Sequence, residues 1–114
     1  MKIEIKKGKG VEHHMTVGLC PHCRQGSIRL TVVDGQLDLD CYVSPKYPDP
    51  CYAKFYWGNY NSSKVICGVT SIDPEWARKH GVSLPPLEQQ KGYEFGEVVA
   101  EGDKRFFVSS LDPY

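Results

Sequence analysis

A chain of 114 residues, 40% hydrophobic and 25% charged, is sized for one domain, 1–114, with an apolar core of its own. Fourteen Lys+Arg balance fourteen Asp+Glu to a formal net charge of zero. That balance excludes an overall basic field drawing the protein to nucleic acid or anionic lipid and leaves such contacts to local patches.

Lys2-Ile3-Glu4-Ile5-Lys6 alternates charge with isoleucine, the period-two pattern of a strand with one apolar face. Its lysines, with Lys7 and Lys9, suit a solubilising edge that discourages strand-to-strand aggregation. Val11 to Leu19 reads as a short strand leading into Cys20-Pro21-His22-Cys23. Ser27–Val33 and Gln36–Val43 then form a hairpin joined by Asp34-Gly35, a dipeptide that tolerates the positive φ angles of a two-residue turn. Ser44 to Pro50 carries three prolines and is expected as a rigid surface loop outside any ladder.

Tyr52–Trp57 and Lys64–Thr70 read as a second hairpin, with Gly58 to Ser63 as its connection. Asp73-Pro74-Glu75 is a helix start, cap residue then proline, and Gly81 stops that helix. Trp76 and His80, four apart, share one side of it. After Pro85-Pro86, Tyr93–Ala100 and Lys104–Ser109 form a last hairpin around Glu101-Gly102-Asp103. The expected fold is mainly β, a hairpin-rich mixed or antiparallel sheet with one short helix.

Five cysteines are an odd number for a disulfide framework. A CxxC pair suits either a metal knuckle or a thiol-redox site. The redox use wants a helix N-terminus, where the dipole and free N–H groups depress the first thiol's pKa. Here the pair runs through a turn into a strand, which favours metal. The hairpin carries the chain back, so Cys41 at the end of the return strand faces Cys20 and Cys23. The fourth ligand is open at this stage: Cys51 after the proline-rich loop ranks first, Cys67 second, and an imidazole from His13, His14 or His22 third. His22, inside the knuckle, is expected to point its ring outward. Adjacent His13 and His14 would face opposite sides of a strand.

On Cys20, Pro21, Cys23, Gly26 and the hairpin ending at Cys41, residues 20–51 resemble a zinc ribbon, in which two knuckles at the base of a β-hairpin hold one zinc ion. The resemblance implies a structural Zn2+ at Cys20, Cys23 and Cys41, to which the ranking above adds Cys51 as first candidate for the fourth ligand. It departs from the family after Cys41, where Tyr42-Val43-Ser44 stands in place of a second CxxC.

No Gly-rich phosphate loop, HExxH helix, nucleophile elbow or HxE partner for the CxxC is present. The chain therefore offers no catalytic set, and four thiolates would leave a zinc ion no open position for water. Tyr52 to Tyr60 packs five aromatics around a lysine. Such a segment can stack bases beside phosphates, but it also has the composition of a core strand. If period two holds, Ala53, Phe55 and Trp57 face the core while Tyr52, Lys54 and Tyr56 face out, joining Arg24, Arg29 and Lys46 as a recognition surface. The leading expectation is a small zinc-stabilised binding module or regulator that contacts another protein. Nucleic-acid binding through Arg24, Arg29, Lys54 and Tyr56 is one alternative, and thiol-disulfide exchange at Cys20/Cys23 is another. No apolar run approaches the roughly 20 residues needed to span a bilayer, and residues 1–10 contain no signal-peptide hydrophobic region. A cytoplasmic protein without membrane contact is the expected setting.

Overall fold

The computed structural model describes residues 2–6, 8, 12–33, 35–56 and 63–113, with no side-chain account for 12, 13 and 56. Within these lie eight strands: β1 (Lys2–Glu4), β2 (Glu12–Leu19), β3 (Ser27–Val33), β4 (Gln36–Tyr42), β5 (Lys54–Tyr56), β6 (Lys64–Ser71), β7 (Tyr93–Glu101) and β8 (Lys104–Ser109). One helix, α1 (Pro74–His80), and a 3-10 turn at Leu87–Gln89 separate β6 from β7.

The strands form one sheet in the order β1-β8-β7-β6-β5-β4-β3-β2, and each neighbouring pair is antiparallel. From β2 to β8 it is a meander without crossovers, its longer connections being the loop before β5 and the segment carrying α1 between β6 and β7. Period two is visible in the burial. In β3, Ile28, Leu30 and Val32 are buried, in β4 Leu37, Leu39 and Cys41, and in β6 Val65, Cys67 and Val69. Phe95 and Phe107 complete that interior from β7 and β8, fully buried, and a buried side chain of this kind stabilises by about 1.5–3 kcal/mol. Phe55 meets Phe95 edge to face at 4.8 Å.

The sheet curls until its ends approach each other. The Ser109 hydroxyl donates to the Val17 carbonyl at 2.8 Å, and the Leu19 N–H donates to the Asp112 carbonyl at 2.8 Å. The chain just past β8 thus covers part of the open edge of β2, an arrangement that limits unpaired edge groups.

All three expected hairpins form. Gly35 takes a φ of 78° in the first turn; Asp34 beside it, Trp57, the connection 58–62, Lys7 and Lys9 lie outside the described residues. The strand expected in Val11–Leu19 is the eight-residue β2, with a register shift between Thr16 and Gly18 that absorbs the glycine. In α1 the Asp73 carboxylate accepts the Trp76 N–H at 3.3 Å, Pro74 opens the helix, and Gly81 ends it at φ 64°. Among the described residues no helix is long and apolar enough to cross a membrane.

Candidate metal centre

The first arm of the centre is the turn between β2 and β3. The Cys20 N–H donates to the Gly26 carbonyl and the Arg24 N–H to the Cys20 carbonyl, both at 2.9 Å, while Arg24 adopts a left-handed φ of 54°. These bonds fold Cys20 and Cys23 toward the same side. The Gln25 N–H, at 3.3 Å, donates to Cys23 Sγ, a contact that favours a thiolate there.

The second arm comes from β4 and the proline-rich loop. Cys41 ends β4's buried face, and its N–H donates to the Ala53 carbonyl at 2.8 Å. The loop 43–50 contains no strand or helix and delivers Cys51 beside Cys20. Helix α1 anchors that delivery. The Asp73 N–H donates to the Cys51 carbonyl at 2.9 Å, and the indole N–H of the buried Trp76 donates to the Asp49 carbonyl at 3.2 Å. His80 Nε2 lies 2.9 Å from the Asp49 carboxylate, and its ring lies over Trp76 at 4.4 Å.

The four sulfurs of Cys20, Cys23, Cys41 and Cys51 lie within 4.8 Å of one another. Cys20 and Cys51 approach to 4.0 Å and Cys23 and Cys41 to 3.8 Å. A tetrahedral ion with metal–sulfur bonds of about 2.3 Å sets its ligands about 3.8 Å apart. A disulfide requires about 2.05 Å, and all five cysteines are free thiols. The four residues could therefore hold a single metal ion. Gly26 fits as well: a Cβ there would stand 2.5 Å from Cys41 Sγ and 2.8 Å from Pro50 Cβ, so the turn approaches the sulfur through the space a side chain would fill.

The electrostatics follow from packing four thiols together. Hydrogen bonds from Cys20, Cys41 and Cys51 hold the Cys23 thiol far below its ordinary range. At Cys20 the contact with Cys23 acts upward, but those with Cys41 and Cys51 carry it downward. Cys41 and Cys51 are pushed well above the ordinary range, by the sulfurs they serve as donors and then by burial. Ionising all four in a buried pocket without a cation is prohibitive, and a divalent ion reverses that balance.

Cys67, the other candidate ligand, lies on β6, buried, and outside the cluster. Burial pushes its thiol up to about 12. Its folded pKa lies above its unfolded value, so the associated stability is complete below about pH 9 and is lost as pH rises toward 12. Urea titrations between these limits should show falling stability in the parent and a shallower fall in Cys67→Ala.

His22 differs from expectation. Its ring is half-buried, 5.9 Å from the Trp76 ring and 6.1 Å from the Tyr93 ring, because helix α1 and the start of β7 close over the knuckle. Burial lowers its pKa. His14 faces Thr31 at 3.2 Å instead of the cluster.

The residues expected to form a recognition surface are spread over several environments. Arg29 makes a two-pronged pair with Asp40 across β3 and β4, at 2.7 and 3.2 Å, and lies over the Tyr42 ring. Arg24 pairs with Asp112 at 3.2 Å on the exposed knuckle. Tyr52 is exposed with a left-handed φ of 53°, and Lys54 is exposed on β5; the Tyr56 side chain lies outside the described set. Ala53 and Phe55 are buried on the other face, as period two requires.

The contributions of Asp49, Asp73 and Trp76 to the second arm were not visible in the sequence. Asp73-Pro74 announces a helix start, but nothing local says that the helix packs on the loop bearing Cys51. Comparison with known proteins finds no matching family model, no similar curated protein and no similar solved structure.

Proposed function

We propose that this chain is a zinc-stabilised β module that binds another protein. The observation that carries the metal reading is the set of four sulfurs within 4.8 Å of one another, drawn from the chain on both sides of the β3–β4 hairpin. Zinc suits four thiolates and supplies folding energy without redox chemistry. A four-thiolate site has no open position, which argues for a scaffold over a hydrolytic centre. The reduced, metal-bound thiols fit a cytoplasmic setting.

Two observations favour a protein partner over nucleic acid. The net charge is zero, and Lys2, Arg24, Arg29, Lys64, Arg78 and Lys79 each face a carboxylate. These pairs offset six of the chain's fourteen Lys and Arg side chains, which weakens the phosphate contacts those six could make. The thiol-disulfide alternative has the weaker support, since Cys20 and Cys23 sit in a turn between strands and not at a helix N-terminus.

Metal-loaded protein immobilised as bait should retain a stoichiometric protein partner, and chelation should release it. Recovery of nucleic acid without protein, with retention falling steeply as salt rises, would overturn the reading.

A further inference from the structure

A cavity of about 460 Å³ opens beside the metal knuckle, between the end of β6 and the segment 83–92. Its volume lies in the range of specific ligand sites, roughly 300–1,000 Å³. The walls are built, not incidental. The Gln90 side chain occupies the place of a strand partner at Val69: its Oε1 accepts the Val69 N–H at 2.8 Å, and its Nε2 donates to the Val69 carbonyl at 3.0 Å and to the Pro85 carbonyl at 2.9 Å. Gly68 and Gly92 let the segment lie this close. A Cβ at Gly68 would stand 2.8 Å from Leu87 Cδ2, and one at Gly92 3.2 Å from the Cys67 carbonyl oxygen.

The lining has a definite chemistry. His22 and Tyr93 present two rings nearly perpendicular to each other, at 83°. Val69, Leu84 and Pro85 add aliphatic surface, and among the described residues Lys91 brings the lining's one ammonium and no Asp or Glu lines it. Perpendicular aromatic walls favour a planar ring, edge to face against one and offset against the other. A lone cation without a carboxylate neighbour favours a negative charge beside that ring.

We propose that this cavity is where the partner protein docks, receiving one aromatic side chain from a peptide segment that carries a carboxylate next to it. This rests on the binding-module reading above and adds the place and the chemistry of recognition. It also assigns the metal an indirect role, because the Cys20–Cys23 knuckle holds His22 in the cavity wall. Metal release therefore removes the docking site together with the fold that carries it.

The test is amide chemical-shift titration of the metal-loaded protein with three blocked peptides, Glu-Trp-Glu, Glu-Ala-Glu and Lys-Trp-Lys, and with indole-3-acetate. Glu-Trp-Glu should shift His22, Val69, Gly92 and Tyr93 saturably, with half-saturation at about 1 mM or below. Glu-Ala-Glu should leave them unmoved, and Lys-Trp-Lys should bind several-fold more weakly. Lys91→Glu, an exposed substitution that spares the core, should weaken Glu-Trp-Glu on the order of fivefold. Gln89→Trp should fill the cavity and abolish the shifts. No saturable shift at these residues, or equal binding of the two Trp peptides, would overturn the proposal. Tighter binding of indole-3-acetate than of the peptide would also overturn it, reassigning the cavity to a small aromatic acid. Metal content measured on the same samples separates such a failure from failure of the zinc reading.

Discussion

Cys51→Ser should leave the chain without its metal and largely unfolded. The apparent free energy of a structural zinc site is about 10–16 kcal/mol in small zinc-binding peptides, comparable to the whole margin of about 5–15 kcal/mol by which a domain is stable. Cys51 is fully buried next to Cys20, and it ends the loop that α1 fastens through Asp73 and Trp76. A hydroxyl in its place is a poor metal ligand and leaves only three thiols to hold the ion. The expected loss exceeds about 4 kcal/mol relative to the metal-bound parent, read as loss of the cooperative urea transition and of bound metal together. Cys67→Ser is the control. It buries a hydroxyl in β6 at a cost of about 1–3 kcal/mol, yet its metal content should equal the parent's.

Gly26→Ala should weaken the metal site without removing any ligand. The new methyl would sit 2.5 Å from Cys41 Sγ and 2.8 Å from Pro50 Cβ, where carbon contacts normally lie about 3.5–4.0 Å apart. Relief requires a shift of the knuckle or of Cys41 by about 1 Å. Either movement spoils the spacing of Cys23 and Cys41. Disturbing the supporting shell of a metal site typically costs about 10–100-fold in affinity, and competition against a chromogenic chelator would measure it. Stability should fall by about 1–3 kcal/mol as well, the range for overpacking a close-packed site. Unchanged affinity in this variant would mean that the turn does not grip the metal as its geometry suggests.

Much of the β architecture was legible because its signals are local. Alternation in Ser27–Val33, the glycine turn at Gly35 and the Asp73-Pro74 helix start act within a few residues, and β3, its pairing with β4 and α1 are the elements expected. The curl of the sheet was not legible, because it rests on contacts such as Ser109 with Val17 and Asp112 with Leu19, far apart in sequence. The cluster of Cys20, Cys23 and Cys41 followed from the hairpin's return. Cys51 did not follow in the same way, since its position depends on how a proline-rich loop is pinned from outside by a helix after β6. The partial burial of His22 has the same origin: Trp76 and Tyr93, far away in sequence, close over its ring.

Metal analysis combined with thiol counting on the native protein tests the central claim most directly. The account predicts one zinc ion per chain and no disulfide. Four thiols should become reactive only when a chelator removes the ion, and Cys67 only on full unfolding, with a melting transition that drops sharply after chelation. Protein that contains no zinc, and whose melting curve is the same before and after chelation, would contradict it.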